Sequence, residues 1–228
     1  KGEQNNLFKG LMQSTAQLQR FPYISQVIAS FDETIGRSRL MRLAPGAEVP
    51  LHSDINYHWY HRVRIHIPVF TAAQVTFHCG DKKVNMRSGD CWIFDSWRPH
   101  KVVNNSDQFR VHLVIDTAGS AKFWHMVNHL ALAYDTQDTI LAASHHLAYQ
   151  GEQLAGFRTE RFNFPLVMSP GELDGLIAEF KHDLVAYPDN APARMSIFIA
   201  AVDEFRWDWR ALYSQYAELE AGWPLYHQ

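Results

Sequence analysis

A chain of 228 residues, 46% of them apolar and 13% aromatic, has the side chains for a sizeable core and reads as one catalytic domain with an appendage. A net charge of −3 with both signs interspersed excludes the basic stripe of a nucleic-acid binder, and the longest apolar run, Ile197 to Val202, is far short of the ~20 residues of a membrane helix. No leader pattern follows Lys1, and the two cysteines, Cys79 and Cys91, lie in apolar strand-like runs and read as buried, unpaired thiols, so a cytoplasmic protein without nucleic-acid or membrane partners is expected.

Residues 1–20 are polar and read as a loose lead or a short helix. From Pro22, the positions Ile24, Val27, Ile28 and Phe31 fall at helical spacing and predict a short helix ending near Asp32. The period then changes. Arg37 to Leu43 reads as a strand, Pro45-Gly46 as a turn, and Val49 to Asp54 as an extended segment. A loop carrying Tyr57, Trp59 and Tyr60 comes next, and from Arg62 to Ile67 the chain alternates strictly, with Arg62, Arg64 and His66 on one face. Further strands are expected at Gln74 to Cys79, Lys82 to Met86, Cys91 to Asp95 and Phe109 to Asp116. Turn residues at Gly80-Asp81, Ser88-Gly89 and Asn104-Asn105-Ser106 separate them, and short strands at this spacing predict a β-sandwich or a barrel.

After Thr117-Ala118-Gly119 the composition shifts to Ala, Leu and His at helical spacing. The predicted organisation is therefore a β-rich domain with its lead-in over 1–120 and a mostly helical extension over 121–228. Residues 121–150 should hold one or two helices. Ser169-Pro170-Gly171-Glu172 has the spacing of a capping box, followed by an apolar stripe at Leu173, Leu176, Ile177, Phe180 and Leu184 and a stop at Tyr187-Pro188. A last helix should contain Phe205, Trp209, Leu212, Tyr213, Tyr216 and Leu219. This extension could shape the mouth of a site, form a homodimer, or join another domain.

The chemistry gathers around His52-Ser53-Asp54. A His and an Asp two apart on an extended segment point to the same side and can grip one metal ion, with His100 of Trp97-Arg98-Pro99-His100 as a third ligand. The order His, Asp, distant His is that of a two-His-one-carboxylate facial triad. The cationic face of Arg62, Arg64 and His66 is either solvated or the lining of a barrel that encloses an acidic ligand. Arg110, ten positions after His100, suits a carboxylate held by two parallel hydrogen bonds, and His112 shares its face. Asn56, His58 and Trp59 after the His-x-Asp, Arg98 before the distal His, Arg62, and His112 on the face of Arg110 are candidate substrate contacts, with ordinary structural roles as the alternative.

From Leu40 to Asp116 these stretches together resemble the aspartyl/asparaginyl β-hydroxylase family of Fe(II)- and 2-oxoglutarate-dependent dioxygenases. The residues that carry the likeness are Leu43-Ala44-Pro45-Gly46 with His52 to Asp54, Arg62 to His66, Gly89 to Asp95 with His100, and Phe109-Arg110 running to Asp116. The resemblance implies an α+β fold built on a double-stranded β-helix (a cupin-like jelly roll) with an N-terminal helix and a helical C-terminal region. It implies His52, Asp54 and His100 as ligands of Fe(II), Arg110 on the distal carboxylate of 2-oxoglutarate, and His66, assisted by Arg64, in holding that cosubstrate. O2 would be the oxidant, succinate and CO2 the by-products, and a small amino-acid-like molecule or an aspartyl or asparaginyl side chain of a peptide the substrate. Animal members that hydroxylate protein Asp and Asn residues have Gly in place of the triad carboxylate. Asp54 is present here, so the chain is similar to the complete-triad bacterial members. Two other readings use the same barrel: a cupin-type metal-dependent hydrolase or isomerase, and a non-catalytic ligand-binding barrel.

Overall fold

The computed structural model describes residues 10–135, 145–162 and 164–227. It divides into two compact units, Lys1–Asn163 and Phe164–Gln228. The first contains α1 (Pro22–Ala29), β1 (Thr34–Leu43), β2 (Glu48–His52), α2 (Tyr57–Tyr60), β3 (Val63–Phe70), β4 (Val75–Cys79), β5 (Lys82–Val84), β6 (His100–Asn104), β7 (Arg110–Thr117), α3 (Ala121–Asp135) and β8 (Arg158–Thr159). The second contains α4 (Pro170–Ala186) and α5 (Pro192–Tyr216).

The strands form two four-stranded sheets of order β3-β7-β1-β8 and β2-β6-β4-β5, the cupin-like jelly roll that the sequence predicts. Strand β7 lies between β3 and β1, and its side chains divide by parity. Leu113 and Ile115 join Ile65 of β3 and Ile35 of β1 in a core covered by Ile28 of α1 and Phe123 of α3. Each fully buried isoleucine there stabilises the fold by roughly 1.5–3 kcal/mol. Because the helices cover that face, the alternate positions, Arg110, His112 and Asp116 with Arg64 and His66, turn towards the other sheet. The cationic face of β3 therefore lines the barrel. A second apolar core of Val75, Phe77, Met86 and Val102, with Leu43, Trp92 and Phe94 against it, fills the rest of the space between the sheets.

The α1 helix stops at Ala29, and β1 starts earlier than expected, at Thr34, with a register shift between Ile35 and Ser38. Two expected elements differ. The aromatic segment after Asp54 is the short helix α2, because the Asn56 side chain accepts the His58 backbone N–H at 2.8 Å and starts a turn. Cys91 to Asp95 is no strand: Trp92 alone pairs, with His66 (2.7 and 2.9 Å), after which Asp95 accepts from Trp97 and Arg98 and folds the chain into a loop. Strand β8 carried no sequence signal, since it is two residues paired in parallel with β1 from far along the chain. Cys79 is half-buried; Cys91 is exposed as a residue, although burial of its thiol pushes the pKa up to about 11, so the expectation of two buried thiols holds only in part.

The first compact unit runs past residue 120 because β8 and the segment before it belong to the sheet unit: Ser25 and Gln26 of α1 donate to Ala155, Gly151 and Gln153 carbonyls. Residues 136–144, part of the predicted helical stretch, lie outside the described residues. In the second unit the capping box forms as expected, with the Ser169 hydroxyl 3.4 Å from the Glu172 backbone nitrogen and the Glu172 carboxylate 3.2 Å from that of Ser169. Leu173 and Ile177 are buried, whereas Phe180 of the same stripe is exposed. Trp209 of α5 donates to the Met168 carbonyl at 2.9 Å, and Leu219 falls beyond the helix end. No helix among the described residues is long and apolar enough to cross a membrane.

Candidate active site

Strand β2 ends on His52 and β6 begins on His100, and the two residues are partners in the antiparallel register, so their rings lie 4.2 Å apart. Asp54 follows on a short extension fixed by its backbone N–H to the Ser96 carbonyl at 2.8 Å. The Nδ1 atom of His52 is 2.8 Å from the Pro50 carbonyl, and that of His100 is 2.9 Å from the Arg98 carbonyl. A carbonyl only accepts, so each Nδ1 donates a hydrogen and Nε2 is the ring nitrogen left to face a metal. The two imidazoles and the Asp54 carboxylate have ligand atoms that all lie within 4.8 Å of one another. Two imidazoles oriented through Nδ1 and one carboxylate make a donor set that fits a divalent metal. His100 is 4% exposed, and Phe94 (5.0 Å) and Phe77 (6.1 Å) wall it from one side.

A second group of polar side chains continues from this cluster along the inner face of β3 and β7. Arg110 is 5% exposed and His112 1% exposed. Arg110 Nη2 lies 2.7 Å from His112 Nδ1. Since a guanidinium only donates, Nδ1 is the acceptor and Nε2 of His112 carries the hydrogen. Burial, and then the neighbouring guanidinium, push the His112 pKa down to about 3, and burial lowers that of Arg110 to about 10. His66 lies 6.1 Å from His112 and 5.2 Å from Phe94, and burial, with the charge of Arg64 next, holds its ring neutral, well below the usual imidazole range. Arg110 Nε, His112 Nε2 and His66 Nε2 are buried without a hydrogen-bond partner among the described residues. Buried polar atoms are rarely left so, and Arg110 and His112, whose side chains touch through Nη2 and Nδ1, each keep one donor unpartnered among the described residues, a chemistry that fits a carboxylate.

Arg64 stands between the two groups. It donates to Asp54 Oδ2 (3.3 Å) and Asp116 Oδ1 (2.9 Å), with its guanidinium carbon 3.7 Å from the Trp59 ring centroid. Its contacts are thus with Asp116 and with the carboxylate of the His-Asp-His cluster. Burial raises the Asp116 pKa, with Arg64 acting against that shift.

Several expected substrate contacts have other partners. Arg62 makes a two-armed ion pair with Glu160 (3.0 and 2.8 Å) and donates to the His58 carbonyl (3.1 Å), so it is a structural clamp. His58 turns inward beside it and is buried, with a pKa pushed to about 3 by burial and then by Arg62. Asn56 caps α2, and Trp59 stacks on Arg64. The Arg98 side chain is exposed and lies 3.7 Å from Asp81, and its link to the site is the backbone carbonyl that orients His100. Two residues were missed. Asp116 shares the alternation of Arg110 and His112, a signal that could have found it. Glu160 gave none, because its partner Arg62 lies 98 residues away.

A family model described as aspartyl/asparaginyl beta-hydroxylase matches residues 4–119, just over half of the chain. No curated protein matches the chain. Among solved structures, the chain is similar to a sugar phosphate isomerase from a cupin superfamily of Silicibacter pomeroyi, at 27% identity over 35% of this chain and 48% of that one, with a TM-score of 0.29. It is also similar to a cupin domain from Bordetella pertussis (20% identity, 35% of this chain and 78% of that one, TM-score 0.29). A cupin 2 conserved barrel domain protein from Salinispora arenicola matches at 20% identity over 42% of this chain and 69% of that one, with a TM-score of 0.28. The chain thus spans about half of the Silicibacter protein.

Proposed function

The chain belongs to the aspartyl/asparaginyl β-hydroxylase family, and from that membership and the geometry of the barrel we propose that it is an Fe(II)- and 2-oxoglutarate-dependent dioxygenase. The substrate class is an amino-acid-like molecule or an aspartyl or asparaginyl side chain, hydroxylated at an unactivated C–H. Iron(II) and 2-oxoglutarate bound together would supply that chemistry at the expense of O2, with succinate and CO2 released.

His52, Asp54 and His100 would hold the metal through Nε2, one carboxylate oxygen and Nε2, on one face of its coordination sphere. Arg110 and His112 would receive the distal carboxylate of the cosubstrate, and His66 would contribute its unpartnered Nε2 nearer the metal. The Phe94 ring contacts both His66 and His100 and so joins the two groups.

The observation that carries this reading is the buried, unpartnered donor pair of Arg110 and His112 on the face that also carries His66 and Arg64. A hydrolase or isomerase on the same barrel would use the metal but has no need of a desolvated guanidinium inside the barrel. The test is anaerobic addition of Fe(II) and then 2-oxoglutarate, with the weak visible charge-transfer band of the chelate as the expected result. Bound iron without that band sinks the proposal.

A further inference from the structure

Asp54 has two carboxylate oxygens, and the structure treats them differently. Oδ2 lies 3.3 Å from Arg64 Nη1, whereas Oδ1 is the oxygen placed towards His52 Nε2, at 3.9 Å. The Arg64 guanidinium is held on two further sides: Nε donates to Asp116 Oδ1, and the Trp59 ring lies against its face. Asp116 is 0% exposed and stands directly across from Arg64 in the register of β3 and β7. A guanidinium is a rigid planar fork, so an anion bound at Nε and a ring on its face fix the direction of the Nη1 arm. A buried carboxylate such as Asp116 is tolerated in a core only when it is paired, and its pairing with Arg64 is retained at that cost.

We propose that Arg64 and Asp116 are positioning residues that make Asp54 a one-oxygen metal ligand, with Oδ1 coordinating and Oδ2 held back by Arg64. This rests on the metal site of the proposed function. Its chemical consequence is open space on the metal. A carboxylate bound through both oxygens would fill four of six positions together with the two histidines, whereas one oxygen leaves three, two for 2-oxoglutarate and one for O2. The relay also gives Asp54 a task that a glycine at that position could not perform, so it belongs to a site with the complete triad.

Two variants test it, Arg64→Lys and Asp116→Asn, each checked for a native circular-dichroism spectrum. A lysine carries one ammonium and cannot bridge both carboxylates, and the asparagine keeps the size of Asp116 without its charge. Partners that orient metal ligands are worth on the order of 10- to 100-fold in metal affinity. Titration of the metal-free protein with Mn(II), without 2-oxoglutarate, should show a loss of that size for Arg64→Lys and a loss in the same direction for Asp116→Asn. At saturating metal the KM for 2-oxoglutarate should stay within a few-fold of wild type. Wild-type Mn(II) affinity in Arg64→Lys, with the loss falling on 2-oxoglutarate instead, overturns the inference and makes Arg64 a cosubstrate anchor. Wild-type affinity in Asp116→Asn removes Asp116 from it. Failure of the wild-type protein itself to bind Mn(II) is a different result, which falls on the proposed function.

Discussion

Arg110 donates to Nδ1 of His112 across 2.7 Å, and that bond decides what both side chains present to the barrel interior. It makes a histidine held neutral by burial an Nε2–H donor, while Arg110 Nε has no partner among the described residues. Replacing His112 with Phe keeps a ring but removes the donor. A hydrogen bond to a charged group is worth roughly 1.5–3 kcal/mol, so the KM for 2-oxoglutarate should rise on the order of 10- to 100-fold, with metal affinity unchanged. An unaltered KM would place the cosubstrate elsewhere.

Asp54→Ala removes the only carboxylate of the His-Asp-His cluster and takes from Arg64 Nη1 its acceptor, leaving Arg64 paired with Asp116 alone. Metal affinity should fall steeply, and succinate formation from 2-oxoglutarate should be lost. Turnover equal to wild type would remove the facial-triad assignment.

The Arg62–Glu160 pair is almost fully buried and two-armed, and it joins the residue before β3 to the residue after β8. Breaking such a pair by removing one charge costs on the order of 3–5 kcal/mol, because the other stays buried and unpaired. Glu160→Gln should therefore lower the urea midpoint of unfolding. Gly36→Ala should act in the same direction, since a Cβ there would come within 2.9 Å of a Glu160 oxygen. If Arg62 were instead a substrate contact, Glu160→Gln would leave stability unchanged and alter KM.

His58, His66 and His112 are all held neutral by burial, two of them with a pKa of about 3 and His66 well below its ordinary value. Unfolded imidazoles take up a proton near pH 6.5, so below that value the unfolded chain binds protons that the folded one cannot. Stability from these groups is complete above pH 6.5 and is lost as pH falls towards 3, at up to about 1.4 kcal/mol per pH unit for each group. Asp116 has the opposite sign, since burial favours its protonated form, but one carboxylate opposes three imidazoles. Urea unfolding at pH 7, 6 and 5 should show falling stability, and His112→Phe should reduce the slope. A flat profile would show that these rings are not desolvated.

Part of the His-Asp-His cluster was legible because its signal is local: His52 and Asp54 are two apart on an extended segment, whereas His100, far along the chain, was reached through the order of the stretches that carry the family resemblance. The capping box at Ser169 and the alternation from Arg62 to Ile67 were legible for the same reason: period and spacing are properties of neighbouring residues. That alternation divides β3 into two faces but does not say which one is buried. Only the tertiary structure decided this, when α1 and α3 covered Ile65, Leu113 and Ile115 and left Arg64, His66, Arg110 and His112 for the barrel interior. It also decided how each arginine is engaged. Arg62, Arg64 and Arg110 look alike in the sequence, yet Arg62 is taken by Glu160 and Arg64 reaches Asp54 and Asp116, while Arg110 meets no carboxylate and donates to His112; Arg64 Nη2 and Arg110 Nε each stay unpartnered among the described residues. Those pairings join residues 98 and 52 positions apart, and a charge's partner across such a distance is set by strand register and packing, which no local pattern encodes.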